Sequence, residues 1–176
     1  ALSHCVEPGL IFFLKGELGA GKTTLVRGVL RGLGYAGRVK SPTYTLVELY
    51  TVSRLDLHHF DFYRFQDPRE WIDAGFRETF NGLNVSLIEW PEKAEGSLPK
   101  DCIAINLMHD GNGRSVSISG PDEAMARIRR SLDLRSFLSR NNLGKGWRRP
   151  FVGDASPRVY ELVEDADETD LVITDQ

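Results

Sequence analysis

A glycine-rich loop near the start of the chain constrains the fold more than any other stretch. It reads G-E-L-G-A-G-K-T-T over residues 16–24, after an apolar run over residues 10–14 and before an amphipathic run over residues 24–33. The order of strand, glycine loop and helix is the context in which G-x-x-x-x-G-K-[ST] forms a phosphate-binding loop. The sequence therefore predicts an α/β fold that begins with a buried strand and a phosphate loop. An ordinary glycine-rich turn is the alternative.

Each residue type of the loop has a physical task. Its glycines can take positive φ angles and carry no Cβ, so that successive backbone N–H groups can surround phosphate oxygens. The helix that follows directs its N-terminal amides and dipole at the same anion. Lys22 can reach the β- and γ-phosphates, and the Thr23 hydroxyl is placed to ligate Mg²⁺. The residues expected to bind the nucleotide are Gly16, Gly19, Ala20, Gly21, Lys22, Thr23 and Thr24.

Composition excludes several classes of function. A net charge of −3 over 176 residues gives no general electrostatic footprint for nucleic acid, so any RNA contact would run through a local patch or a partner. The longest apolar run, residues 10–14, is too short to span a bilayer. Cys5 and Cys102 have no metal-ligand spacing and indicate a reducing compartment. We therefore expect a cytoplasmic protein without membrane association.

The chain after the loop alternates strand patterns with one helical pattern. Strands are predicted over residues 44–50, 55–60, 83–88, 103–108 and 114–119. The first two and the last two of these strands are expected to form antiparallel hairpins. Residues 66–80 predict a helix with Asp67 as its N-cap, which Gly75 interrupts.

Two acids at strand ends complete the predicted site. Asp61 and Glu89 each end a predicted strand, and ligands of open α/β sheets collect at such ends beside the glycine loop. Each carboxylate can hold Mg²⁺ directly or through water, and one can orient the attacking water. Thr43 follows the first helix, where switch segments of nucleotide hydrolases lie, so its hydroxyl can meet Mg²⁺ or the γ-phosphate. Surface strand ends and an ordinary Ser-Pro turn are the alternatives.

Four other polar residues are candidates for the site. His58 and His59 superficially suggest a metal pair, but adjacent residues of a strand face opposite sides, so we assign both of them structural roles. Arg64 and Arg114 are candidates for charge stabilisation, and a surface ion pair is an equal alternative for each.

Four separated motifs together resemble the TsaE (YjeE) family. They are GELGAGKTT over residues 16–24, SPTYTLV over 41–47, HFDFYR over 59–64 and IEWP over 88–91. The resemblance implies a small P-loop ATPase with a P-loop NTPase-like mixed β-sheet and flanking helices, which binds ATP or ADP with Mg²⁺. We place this domain at residues 1–130. The family has a further strand ahead of the position matched by Ala1, so we expect part of the base-binding surface to be absent.

The resemblance also implies a biological role. TsaE proteins are required for threonylcarbamoyladenosine modification of tRNA and act on a complex of TsaD and TsaB. TsaD transfers the threonylcarbamoyl group, and ATP hydrolysis by the TsaE protein resets the complex between rounds. By resemblance we expect tRNA to be contacted only indirectly, and we expect the isolated chain to be a monomer.

The family carries roles onto matching positions of this sequence. Thr23 and Glu89 would be Mg²⁺ ligands, and Asp61 would be the Walker B-type acid at the same metal. Thr43 would be the switch threonine. Glu92 and Arg114 would lie near the nucleotide. The expected catalytic residues are therefore Lys22, Thr43, Asp61 and Glu89.

Residues 131–176 differ in character and form a short α+β extension by prediction. Residues 132–138 continue a helical pattern, and residues 158–163 and 170–174 are strand-like. This tail is similar to the opening of aminoglycoside-phosphotransferase-like kinases, which implies a truncated kinase-like N-lobe without a catalytic loop. A solvated acidic end over residues 161–170 is the alternative.

Two other functions remain open for the phosphate loop. A small-molecule P-loop kinase would share it, although no lid segment with clustered arginines follows the core pattern. A nucleotide-gated interaction module would need binding more than hydrolysis. Direct tRNA recognition is least favoured, because the sequence has no stacking platform with interleaved basic residues.

Overall fold

A computed structural model describes residues 1–52, 54–141, 143, 147–151, 159–164 and 169–174. The chain divides into two compact units, Ala1–Arg129 and Arg130–Gln176. Within the described ranges, no helix has both the length and the apolar character needed to cross a membrane.

The first unit is built on a six-stranded sheet. Its strands are β1 (Ile11–Lys15), β2 (Val47–Val52), β3 (Leu55–Asp61), β4 (Val85–Glu89), β5 (Ile103–Asp110) and β6 (Gly113–Ser119). Their spatial order is β2-β3-β4-β1-β5-β6. The four central strands run parallel, whereas β2 and β6 are antiparallel to their neighbours at the edges. The predicted mixed α/β sheet and both predicted hairpins are confirmed.

The central strands are buried because both faces of the sheet are covered. Helix α1 (Lys22–Gly32) lies on one face and buries Val26, Val29 and Leu30, which recur at helical spacing. An aromatic cluster that includes Phe60 and Trp71 covers the other face. Strand β4 is accordingly buried at all five positions, as expected for a central parallel strand. This packing brings the carboxyl ends of β1, β3 and β4 to one edge.

The predicted helix over residues 66–80 is mostly irregular. Helix α2 spans only Glu70–Asp73, and 3-10 helices span Phe76–Thr79, Pro91–Ala94 and, near the start of the chain, Leu2–Cys5. Gly75, with φ of 81°, separates the two helical turns as predicted. The regular helix starts later than predicted, with Arg69 as the residue before it. The cap contact predicted for Asp67 is nevertheless present, since its Oδ1 accepts the backbone N–H of Arg69 at 2.8 Å. The Glu70 carboxylate in turn accepts the backbone N–H groups of residues 66 and 67.

The second unit follows the start of a long helix. Helix α3 (Asp122–Arg140) begins ten residues before the predicted helical pattern and continues into the second unit. A three-stranded antiparallel sheet follows, with β7 (Trp147–Phe151), β8 (Val159–Glu164) and β9 (Thr169–Thr174) in that order. Strand β7 was not predicted because Pro150 interrupts its pattern, and it lies at a sheet edge, where proline is tolerated. Residues 158 and 165–168 lie outside the described residues.

Candidate functional site

The glycine loop connects the end of β1 to the start of α1. Gly16, Gly19 and Gly21 have φ angles of 141°, 79° and 107°, in the left-handed range that favours glycine. A Cβ atom on Gly16 would lie 2.5 Å from the backbone oxygen of Leu107 on the neighbouring strand. The loop therefore requires glycine at position 16 both for its backbone angle and for its close approach to β5.

The Lys22 side chain lies inside the curve of this loop. Its Nζ donates hydrogen bonds to the carbonyl oxygens of Gly16 at 2.6 Å and Glu17 at 2.9 Å. The ammonium also lies 3.9 Å from the centre of the Trp90 ring, within the range of a cation–π contact. Burial lowers the pKa of Lys22, and the nearby carboxylates, Glu89 first among them, oppose that shift. The Lys22 ammonium therefore lies where an anion would enter the loop.

Asp61 and Glu89 lie side by side at the carboxyl ends of parallel strands. The two residues are register partners of β3 and β4, and they are 2% and 3% exposed. Successive residues of a strand alternate between its faces, so both acids share the face that carries α1. The pairing of two neighbouring strands is what brings these sequence-distant carboxylates together.

The Glu89 carboxylate joins the first turn of α1 to the sheet. Thr23 Oγ1 donates to Glu89 Oε1 at 2.7 Å, and His59 Nε2 lies 2.8 Å from the same oxygen. The structural role predicted for His59 did not include this contact with Glu89. The available signal was its spacing from Asp61, since residues two apart on a strand share a face.

The Asp61 carboxylate gathers the segment that follows α1. Its Oδ2 accepts hydrogen bonds from Thr43 Oγ1 at 2.5 Å and from Ser41 Oγ at 3.1 Å. Its Oδ1 accepts the backbone N–H of Tyr63 at 3.0 Å. The predicted switch threonine and the predicted Walker B-type acid are therefore in direct contact.

These groups line a cleft of about 270 Å³. The loop and the start of α1, including Thr24, form its floor, and the two acids form one wall. Ser41 and Thr43 line it from the segment that follows α1, and Tyr63 and Trp90 add aromatic surface. The rings of Tyr63 and Trp90 pack 5.0 Å apart. The cleft thus combines the Lys22 ammonium, two acids and two aromatic rings.

Four predicted nucleotide-binding residues, Gly16, Ala20, Glu92 and Arg114, lie outside the lining of this cleft. Buried Ala20 and the exposed Arg114 line a cavity of about 580 Å³ on the other side of the loop. Arg114 Nε donates to the Ala20 carbonyl oxygen at 3.0 Å, and its Nη2 lies 3.5 Å from that of Gly19. Glu92 lines a third cavity with Lys15, although its charge still acts on Lys22.

Two further polar residues discussed above make other contacts. Arg64 lies 4.3 Å from the centre of the Tyr44 ring, and the His58 ring stacks near Phe60 on the opposite face of β3 from His59. These contacts are consistent with the structural role expected for His58.

The oxygen donors of the cleft fit a hard divalent cation. Hydroxyl and carboxylate oxygens from Thr23, Asp61 and Glu89 are the ligand types that Mg²⁺ prefers, and Mg²⁺ is usually held by one or two carboxylates together with phosphate and water. No group of three or more His, Cys, Asp or Glu side chains suited to a metal occurs in the described ranges. The donor set therefore fits a cation shared with a polyphosphate.

Comparison with known proteins identifies the family of this chain. The family model described as "Threonylcarbamoyl adenosine biosynthesis protein TsaE" matches residues 1–116. The chain belongs to the TsaE family. Its phosphate loop and all the residues that line the 270 Å³ cleft lie inside the matched range.

Several TsaE proteins are similar to this chain. The "tRNA threonylcarbamoyladenosine biosynthesis protein TsaE" of Haemophilus influenzae is 46% identical over 112 residues, which are 64% of this chain and 71% of that protein. The protein of the same name from Bacillus subtilis is 41% identical, over 60% of this chain and 66% of that protein. The one from Treponema pallidum is 38% identical, over 67% and 87%.

A solved structure supports the fold assignment. The crystal structure of YdiB from Bacillus subtilis matches with a TM-score of 0.57 and 31% sequence identity. The match covers 80% of this chain and 84% of that one.

Proposed function

We propose that this TsaE-family chain is a Mg²⁺-dependent ATPase that serves threonylcarbamoyladenosine modification of tRNA. The observation that carries the proposal is the meeting of Thr23, Asp61 and Glu89 beside a glycine loop that holds the Lys22 ammonium. The names of the related proteins support the tRNA-modification role.

The residues of the cleft have distinct tasks in this proposal. Backbone N–H groups of the loop bind phosphate oxygens, and the Lys22 ammonium exchanges its carbonyl acceptors for the β- and γ-phosphates. Thr23, Glu89 and Asp61 hold the cation, directly or through water. When bound, Mg²⁺ neutralises charge on the transferred phosphoryl group. Asp61 and Thr43 lie together where they can orient the attacking water.

The ATPase acts in this proposal on a TsaD–TsaB complex. Two exposed side chains beside residues of the cleft are available to such a partner, since Leu18 on the loop is 74% exposed and Tyr44 beside Thr43 is 84% exposed. A partner that covers them would also limit the access of water to the cleft. The tRNA is reached through that partner, since the net charge of −3 does not favour direct binding.

A nucleotide-gated interaction module is the second candidate. The contact of Thr43 with Asp61 favours it, because the segment that follows α1 is attached to an acid of the cleft and would respond to a bound γ-phosphate. In that case, Glu89→Gln would abolish ATP turnover and still support tRNA modification.

The proposal is tested by ATP turnover of Lys22→Ala with and without TsaD and TsaB. We expect wild-type turnover to require Mg²⁺ and Lys22→Ala to lose it under both conditions. Lys100→Ala is the matched control, since it removes an exposed lysine that does not line the cleft. Equal turnover by Lys22→Ala and wild type would contradict the assigned site.

A further inference from the structure

The hydrogen bonds to the Glu89 side chain are asymmetric. Both the Thr23 hydroxyl and the His59 ring meet the same oxygen, Oε1. The torsion that rotates a carboxylate about its last bond is broad, so a single donor leaves considerable freedom of rotation. Two donors on one oxygen fix the plane of the carboxylate and leave Oε2 for another ligand.

His59 is suited to act as the fixed donor of this pair. It is fully buried on β3, two residues before Asp61 and on the same face. Its Nε2 lies 2.8 Å from Glu89 Oε1, whereas its buried Nδ1 has no hydrogen-bond partner in the described ranges. A proton on Nε2 suits this arrangement, because a proton on Nδ1 would be buried without an acceptor.

We propose that His59 is a positioning residue for the cation, which holds Glu89 by Oε1 so that Oε2 is oriented toward the metal. The inference rests on the proposed function, since it assigns a role to Glu89 at Mg²⁺. The Thr23 hydroxyl can ligate a cation through its oxygen while its O–H still donates a hydrogen bond to Glu89 Oε1. His59 then donates to Glu89 without also being a ligand of the cation. Mutation of a residue that hydrogen-bonds to a metal ligand in this way typically lowers metal affinity by about 10- to 100-fold.

A buried histidine that only fills space makes a different prediction. A packing role would change folding stability and nucleotide affinity together, whether or not a metal is bound. A positioning role changes metal affinity and leaves metal-free nucleotide binding intact, because the phosphate loop makes no hydrogen bond to His59 among the described contacts.

The variants for the test follow from side-chain geometry. His59→Gln places an amide nitrogen three bonds from Cβ, as Nε2 is in histidine, whereas the amide of His59→Asn is one bond shorter. His59→Leu removes the donor. His58→Gln is the matched control, because it changes the adjacent histidine on the opposite face.

Two affinities are measured for each full-length variant. One is the affinity for ADP in EDTA by calorimetry, and the other is the affinity of the ADP complex for Mn²⁺ by electron paramagnetic resonance. We expect His59→Leu and His59→Asn to lose about 10-fold or more in Mn²⁺ affinity with unchanged ADP binding in EDTA, and His59→Gln to recover most of it. His58→Gln should match wild type.

Equal Mn²⁺ affinity in all variants would overturn the proposal, as would parallel losses of ADP and Mn²⁺ binding. If His59→Leu does not fold, the comparison of Gln with Asn decides. Glu89→Gln separates this inference from the function beneath it. Loss of Mn²⁺ affinity in Glu89→Gln without any loss in the His59 variants rejects only the positioning role. Unchanged Mn²⁺ affinity in Glu89→Gln rejects the metal role of Glu89, and the inference with it.

Discussion

Asp61 and Glu89 are direct neighbours across parallel strands, and both carboxylates are almost completely buried. Two buried acids at this separation repel each other and are costly to desolvate unless donors or a cation meet them. Here the hydroxyl of Thr43 meets one acid and that of Thr23 meets the other. The segment that follows α1 and the first turn of α1 therefore both hydrogen-bond to this pair of strand ends.

Asp61→Asn should remove ATP turnover more strongly than nucleotide binding. The substitution keeps the size of the side chain but removes a negative charge beside the predicted cation and attacking water. We expect turnover to fall by about 100-fold or more, while ADP affinity in EDTA stays near that of wild type. Asp56→Asn is the control, because this exposed acid lies on the same strand, accepts a hydrogen bond from the Thr51 hydroxyl and does not line the cleft. Full turnover by Asp61→Asn would contradict the assignment.

Gly16→Ala should destabilise the protein. The added methyl group would meet the Leu107 carbonyl oxygen at 2.5 Å, at a backbone angle that alanine rarely adopts. We expect the free energy of unfolding in urea to fall by about 1–3 kcal/mol. Gly28→Ala, on α1, provides the opposite control. The added Cβ would meet no atom outside the helix backbone within 4 Å, so the substitution should stabilise the helix by up to about 1 kcal/mol. A Gly16→Ala protein as stable as wild type would show that the loop relaxes.

The affinity for ADP should depend on pH through Lys22. Burial lowers the pKa of this lysine from its ordinary value of 10.5, so the ammonium loses its proton, and its attraction to phosphate, at a lower pH than an ordinary lysine. We expect ADP affinity in EDTA to fall as the pH rises from neutral toward about pH 10, which calorimetry would measure. Lys22→Met should bind weakly without this decline.

The same shift has the opposite effect on stability. The unfolded chain keeps the lysine proton up to its ordinary pKa, whereas the folded chain loses it earlier. The contribution of Lys22 to the free energy of unfolding therefore rises with pH across that interval. An ADP affinity that stays constant to about pH 10 would contradict a lowered pKa in the free protein.

Trp90 should report on nucleotide binding by fluorescence. The Lys22 ammonium lies 3.9 Å from the centre of its ring, so transfer of that ammonium to phosphate changes the charge next to the indole. We expect ADP to change the tryptophan emission of wild type and of Trp71→Phe. The emission of Trp90→Phe should not change when ADP is added. Trp71 is a suitable control because it is buried in the aromatic cluster on the other face of the sheet. A full signal from Trp90→Phe would contradict the contact.

Local sequence patterns predict the helices and strands of this protein well, but they predict its long-range contacts poorly. The phosphate loop, both hairpins and the strand ends at Asp61 and Glu89 follow from glycine spacing and apolar runs, which act over a few residues. Asp67 makes the cap contact with Arg69 that the sequence predicts, but the helix that follows covers only Glu70–Asp73 and ends before Gly75, whose φ is 81°. Strand β7 was missed because Pro150 disfavours strands except at edges, and edge position depends on tertiary structure.

The candidate site shows the same division. The identities of Lys22, Thr23 and the two acids were readable from motifs, and their roles remain predictions. The contact of His59 with Glu89 depends on the register between β3 and β4, which no local pattern fixes. Neither could spacing reveal that Arg114 meets the outer side of the loop, since that contact depends on where the β5–β6 hairpin turns.

The grip of Arg114 on the loop has a mechanical consequence. Its guanidinium connects the tip of an edge hairpin to the carbonyl groups of Gly19 and Ala20, whose peptide units also carry amides of the phosphate loop. A displacement of β6 would therefore shift the peptide units that are predicted to bind phosphate. Contact at the rim of the sheet would tune how firmly the triphosphate is held, without anything entering the cleft.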